Sequence, residues 1–190
     1  MFSETFLPLI AAVEHALGDS TCTVLAIDGM AASGKTTLAA ALSKKYGAPV
    51  IHMDDFFLRP EQRTPQRYAQ PGGNIDRERF LSEVCPHLRD GKGFSYFQFD
   101  CHRMCLAEQI VIPAHSLLLV EGTYSLYPAF LPFYSLKVML TIPKKLQKER
   151  ILKRDGEEGY QMFAEKWIPL EDRYFLEFNV ISSADFVFNG

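Results

Sequence analysis

An α/β domain with a mostly parallel sheet and helices on both faces is the fold class this sequence predicts. Three observations predict it. Short apolar, β-branched runs alternate with segments of helical periodicity along the chain. Ser116–Val120 is continuously apolar, as a strand covered on both faces must be. A glycine-bounded turn, Gly29–Thr36, falls directly between a predicted strand and a predicted helix. The 190 residues suit one domain, and no internal repeat, low-complexity tract or linker divides them.

The elements follow in order. Met1–Ile10 is apolar, but it lacks a basic start and carries Glu4, which makes a poor export signal. Leu9, Ile10, Val13, Ala16 and Leu17 recur at helical spacing, so residues 1–20 read as an amphipathic helix packed on the domain. Thr23–Asp28 reads as a buried strand, Thr36–Tyr46 as a helix stopped by Gly47, and Pro49–Asp54 as a second strand. Pro60, Pro65, Pro71, Gly72 and Gly73 make Arg59–Asn74 a long loop, a length that usually marks function or disorder. Asp76–Asp90 is helical, with Asp76 as N-cap and Pro86 disturbing the last turn. Phe94–Phe99 pairs with Gln109–Ile112 as a hairpin. Leu136–Ile142 is a strand. Pro143 opens a helix from the first-turn position through about Arg154, and Asp155–Gly159 reads as loop. Tyr160–Phe178 is helical with an interruption at Pro169, and Ala184–Phe188 is a last strand.

Composition excludes several classes. A hydrophobic share of 47%, a charged share of 23% and a net charge of -3 describe an ordinary globular protein, not a general nucleic-acid binder. No apolar run approaches the roughly 20 residues that cross a bilayer. Without an export signal the expected location is cytoplasmic, where four cysteines are expected to stay reduced. Cys101, His102 and Cys105 lie close together but have no second cysteine pair at zinc-like spacing.

Gly29-Met30-Ala31-Ala32-Ser33-Gly34-Lys35-Thr36 matches G-x-x-x-x-G-K-[ST]. A chance match is expected in about one random chain per hundred of this length. The strand-to-helix context is the one its mechanism needs. The glycines turn backbone amides toward phosphate oxygens, and the helix N-terminus adds partial positive charge. Gly29, Ala32, Ser33, Gly34, Lys35, Thr36 and Thr37 are therefore the expected ATP-binding residues. Lys35 reaches the β and γ phosphates, and the Thr36 hydroxyl takes magnesium. No Asn-Lys-x-Asp stretch for reading guanine is present.

A kinase needs in addition a base, an acceptor site and a cationic lid. One acid of Asp54-Asp55 sits at the end of the second predicted strand, on the edge where open α/β sheets bind ligands. A carboxylate there can take the proton of an attacking hydroxyl. The other acid points elsewhere, into solvent or a turn. Glu121 ends the most apolar strand, where a carboxylate needs a partner; magnesium is one, a structural arginine the other. Between Lys137 and Arg154 stand seven Lys or Arg and one acid, Glu149. Arg150 and Arg154 share a helical face and can close on a triphosphate as a lid spanning about 150–160. Tyr124, Trp167 and Tyr174 can line the site, although aromatics at helical spacing are more often core.

Together these segments resemble the uridine kinase and phosphoribulokinase branch of P-loop kinases. The resemblance rests on G-M-A-A-S-G-K-T-T at Gly29–Thr37, H-M-D-D-F-F at His52–Phe57 and N-I-D-R-E-R-F at Asn74–Phe80. It continues through F-D-C at Phe99–Cys101, L-L-V-E-G-T-Y-S at Leu118–Ser125 and R-I-L-K-R-D at Arg150–Asp155. It implies a three-layer sandwich with a mostly parallel five-stranded sheet, a small β-hairpin and a helical lid. It implies Asp54 as catalytic base beside Lys35, Arg150 and Arg154, Asp76 as a ribose-hydroxyl ligand, and Phe99-Asp100 beside a nucleoside. The chain departs from uridine kinases in having Asn74-Ile75-Asp76-Arg77 in place of a His-Pro-Asp segment, and Phe99 in place of Tyr. Arg59, Arg63 and Arg67 have no counterpart. They suit an anionic acceptor, with Arg59 as a substrate ligand, or simply a solvated loop.

The expected activity is thus ATP-dependent phosphoryl transfer, with magnesium, to a hydroxyl of a small metabolite, a nucleoside first. Nicotinamide riboside, pantothenate, glycerate and sugar phosphates are alternative acceptors. A nucleotide-binding regulatory module without catalysis is the alternative of another class. Neither a nucleic acid nor a membrane is an expected partner, and the sequence does not reveal the oligomeric state.

Overall fold

The computed structural model describes residues 3–190. The first two residues of the predicted N-terminal helix lie outside that range. Among the described residues seven strands form two sheets. Strands β1 (Thr23–Gly29), β2 (Val50–His52), β5 (Leu117–Glu121), β6 (Leu136–Thr141) and β7 (Phe186–Asn189) make a five-stranded sheet in the order β2-β5-β1-β6-β7. Every pairing in it is parallel. Strands β3 (Phe94–Asp100) and β4 (Cys105–Ile112) form the separate antiparallel hairpin, with Phe94 opposite Ile112.

Alternation along β1 builds the two core layers. All seven of its residues are buried, because both faces are covered. Leu25 and Ile27 point to one side, where they meet Leu9 and Val13 of helix α1 (Leu7–Asp19) and Leu38 and Leu42 of α2 (Lys35–Tyr46). Val24 and Ala26 point to the other, into a layer rich in aromatics that holds Phe56, Phe80, Phe130 and Tyr174. Gly47 closes α2 in the left-handed conformation. Among the described residues no helix is long and apolar enough to cross a membrane.

Several segments differ from the sequence-based expectation. The second strand stops at His52, and Met53–Phe56 tightens into a 3-10 turn, since two adjacent aspartates have little preference for extended pairing. The segment Arg59–Asn74 is organised by a 3-10 turn at Pro60–Gln62 and by α3 (Pro65–Tyr68). Asp76 does cap a helix, accepting from the Arg79 amide. That helix is only α4 (Arg77–Arg79), followed by a π turn at Phe80–Val84 and a 3-10 turn at Cys85–His87, where Pro86 has no N–H to offer. Pro143 is the N-cap of α5 (Lys144–Met162), one residue before the expected first turn. Asp155–Gly159 is not a loop: α5 runs through it, broken only at Gly156 (φ 73°, ψ −173°). A π turn at Phe163–Trp167 leads into α6 (Ile168–Glu177), with Pro169 in its first turn, and the short α7 (Val180–Ser183) precedes β7.

The four cysteines are unbridged, Cys101 and Cys105 exposed on the hairpin. Among the described residues no group of three His, Cys, Asp or Glu side chains is placed to hold a metal alone.

Candidate nucleotide and phosphate-acceptor site

Register and strand order converge three strand ends. Neighbours β2, β5 and β1 place His52 beside Glu121, and Glu121 beside Ile27, two residues before Gly29. The turn after β1 is built on positive φ at Gly29 (156°), Ala32 (60°) and Gly34 (100°). At Gly29 a Cβ would also collide with the Leu140 carbonyl of β6, so only glycine fits. Lys35 then starts α2, whose first N–H groups have no partner within the helix and face the turn. The Lys35 ammonium donates to the carbonyls of Gly29 (2.8 Å) and Met30 (2.9 Å).

Glu121 is buried and carries two polar partners. Its carboxylate pairs with His52 Nδ1 at 2.5 Å and accepts from the Thr36 hydroxyl at 3.3 Å. The carboxylate raises the His52 pKa. The salt bridge to an arginine considered from sequence is absent; a histidine from the neighbouring strand takes that place. Asp54 opens into the same cleft. Lost hydration there, then the charge of Glu121, raise its pKa, while Lys35 opposes the shift. Asp55 turns the other way, into the core, where it accepts from Tyr96 Oη and Gln98 Nε2, both at 2.7 Å. It is neither solvated nor a turn cap. It ties the hairpin to the turn that carries Asp54.

The cleft has a volume of about 1170 Å³. The phosphate loop from Ala31 to Thr37, Asp54, Glu121, Arg150, Arg154, Phe163 and Trp167 all line it. Arg150 donates to the Ala32 carbonyl at 3.1 Å, and Arg154 pairs with Asp155 at 2.8 Å.

Three expected substrate ligands are not in this cleft. Asp76 is fully buried, its carboxylate shared between the Arg79 amide and Arg59 Nε at 2.9 Å. Arg59 is thereby committed, with Glu61 as a second carboxylate partner. Phe99 is buried beneath the Arg63 guanidinium, and Asp100 caps the hairpin turn through the amides of His102 and Arg103. Arg67 forks onto Glu78 at 2.6 and 2.7 Å and reaches the carbonyls of Gly73 and Ile75. Arg59 and Arg67 brace the segment against α4, while Arg63 donates to the Leu58 carbonyl and lies over the Phe99 ring.

The fold recurs in solved structures. The chain is similar to a possible uridine kinase from Bacillus stearothermophilus, 21% identical with a TM-score of 0.68, over 96% of this chain and 100% of that one. It is similar to a protein provisionally assigned as a fructose transport system kinase from Silicibacter sp. TM1040, at 19% identity and TM-score 0.72, over 98% and 100% of the two chains. A phosphoribulokinase from Rhodobacter spheroides matches at 14% identity and TM-score 0.58, over 89% of this chain and 70% of that one. The chain has the fold of P-loop kinases. No protein-family model matches the sequence, and no curated protein sequence does either.

Within this P-loop kinase fold the structure adds residues that sequence reasoning missed. Asp28, wholly buried below the loop, accepts from the amides of Gly29 (2.6 Å) and Leu126 (2.8 Å) and from Tyr174 Oη (2.8 Å). Glu171 of α6 accepts from the Ala31 amide at 2.9 Å, and Gln147 of α5 donates to the Ala31 carbonyl at 3.1 Å. Asn74 lines the cleft too; of the three aromatics named from the sequence as possible lining, Tyr124 and Trp167 line it and Tyr174 is core. An acid immediately before the motif was the one available sign, for Asp28. Nothing local marks Glu171, which is 140 residues from its partner.

Proposed function

We propose that this protein transfers the γ-phosphoryl group of ATP to a hydroxyl of a small metabolite, a nucleoside being the first candidate. The observation that carries the reading is the meeting of Lys35, Thr36, Asp54 and Glu121 in one cleft that Arg150 and Arg154 also line. A protein that only held a nucleotide would need no Asp54 carboxylate in the cleft of its phosphate loop.

The loop amides and the Lys35 ammonium would bind the β and γ phosphates, with Lys35 leaving the carbonyls of Gly29 and Met30. Thr36 and Glu121 would hold magnesium. Their facing oxygens suit a hard cation that keeps most of its water and shares phosphate oxygens. When bound, the ion neutralises charge on those oxygens. Asp54 accepts the proton of the acceptor hydroxyl as its oxygen bonds to the γ-phosphorus and the bond to the β-γ bridging oxygen breaks, releasing ADP. Arg150 and Arg154 stabilise charge on the transferring group. A single domain working in the cytoplasm, without nucleic acid or membrane, is part of the same proposal.

ADP release from magnesium-ATP, measured against uridine, cytidine, nicotinamide riboside, pantothenate, glycerate and a sugar phosphate, tests it. The proposal expects a rate that depends on one acceptor class, nucleosides first. ATP binding with no acceptor-stimulated release would instead support the regulatory-module reading.

A further inference from the structure

We propose that Asp55 is a positioning residue for Asp54: gripped by Tyr96 and Gln98 of the hairpin, it stops the turn Met53–Phe56 from rolling and so aims the Asp54 carboxylate into the cleft. This rests on the phosphoryl-transfer reading, in which Asp54 is the base, and it gives the hairpin a part in that step.

A 3-10 turn has three residues per revolution, so successive side chains leave it about 120° apart. Met53 and Phe56 therefore share one side. Both are buried, and the Phe56 ring centroid lies 5.1 Å from those of Phe80 and Tyr96. Packing on that side alone leaves the turn free to roll about it. Asp55 leaves on the second side and is only 4% exposed. Asp54 leaves on the third and lines the cleft. Lost hydration and neighbouring charges act on Asp54, but it accepts no hydrogen bond of its own among the described residues. Its direction is thus set by the backbone beneath it, and the roll of that backbone is set by Asp55.

The hold on Asp55 is directional. Tyr96 Oη donates to one of its oxygens and Gln98 Nε2 to the other, both at 2.7 Å. The two donors stand two residues apart on β3 and so share a face of the strand. Burial, then the Asp55 charge, raise the Tyr96 pKa, so the hydroxyl keeps its proton and is the donor. Two donors need two acceptor oxygens, which a carboxylate has and an amide lacks. Both partners are uncharged, and a carboxylate buried on such partners costs more than an apolar side chain in the same place. Stability therefore does not account for a carboxylate here. An anchor of fixed direction, one residue from the proposed base, does.

Tyr96→Phe removes one anchor and leaves Asp55 and the cleft lining unchanged. ADP release from magnesium-ATP, with uridine and with water alone as acceptors, is compared in the parent, Tyr96→Phe, Asp54→Asn and the double variant. The inference expects Tyr96→Phe to lower kcat about 10–100-fold, as a misplacement of about 1 Å does, with the magnesium-ATP Kd within about twofold of the parent. In the Asp54→Asn background the same substitution should change kcat less than about twofold, because no base is left to aim. Asp55→Leu combined with Tyr96→Phe replaces both partners by apolar groups, so it should unfold in urea close to the parent yet lose at least as much turnover as Tyr96→Phe. A parent-like kcat in Tyr96→Phe, or an equal loss in the Asp54→Asn background, would overturn the inference and leave the base reading standing. A parent-like kcat in Asp54→Asn alone would overturn the base reading itself, so the two failures are told apart. A crystal structure of Tyr96→Phe decides without turnover: a displaced Asp54 carboxylate supports the inference, and an unmoved one overturns it.

Discussion

Two carboxylates hold the phosphate loop from beneath, and they set how the site responds to pH. Asp28 gathers the amides at the root of the loop, and Glu171 fixes the Ala31 amide from α6. Burial raises both, Asp28 to about 6 and Glu171 to about 7, against the hydrogen bonds and the Lys35 charge that favour ionisation. For Glu171 the folded pKa lies above its ordinary value of 4.5. The folded state thus binds the proton more tightly than the unfolded chain. Stability from this group is full below about 4.5 and is lost as pH rises to about 7. Glu171→Gln keeps an oxygen for the Ala31 amide but cannot ionise. In urea unfolding the variant should gain on the parent by on the order of 2 kcal/mol between pH 5 and pH 8. Parallel pH profiles for the two proteins would show that Glu171 does not titrate in the folded state.

The proposed lid is a matter of one helix and its break. The first part of α5 is anchored, with Ile151 buried and Gln147 bonded to the Ala31 carbonyl, which places Arg150 against the loop. Arg154 is at the margin, paired with Asp155 and stacked over Phe163 at 5.3 Å. Gly156 follows immediately, in a backbone conformation that is essentially glycine-only. A Cβ there would meet nothing within 4 Å, so Gly156→Ala tests backbone freedom alone. It should cost about 1–3 kcal/mol of local strain and lower turnover at least several-fold, with a smaller change in magnesium-ATP affinity. Steady-state rates equal to the parent would mean the break is not used. This element was half legible in the sequence. The basic run predicted the cations, but Asp155–Gly159 read as loop because two glycines among acids carry the composition of one. The strand ends were easier. Unbroken apolar runs have one stable placement, inside a parallel sheet, and the motif after Thr23–Asp28 needs a strand before it and a helix after it. The helix after Asp76 was harder, because its irregular turns are set by packing of Phe80 and Val84 against the aromatic layer.

At the scale of the whole molecule, the proposed function follows from strand order. Placing β2, β5 and β1 side by side brings Asp54, Glu121 and Lys35 to one rim, although they are far apart in the chain. That rim was readable because each residue ends or follows an apolar run. The acceptor end was not, because Asp76, Arg59 and Phe99 carry suggestive chemistry in sequence and only tertiary packing commits them to one another or to the core. Asn74, which does border the cleft, carries no local sign of it, and Trp167 reads equally well as core. The central claim is that Asp54 takes a proton during transfer, and kinetics of Asp54→Asn with the acceptor giving the highest rate test it most directly. The account predicts that turnover falls about 10²–10⁴-fold while magnesium-ATP affinity stays within a few-fold. Turnover equal to the parent would contradict it and remove Asp54 from the chemistry.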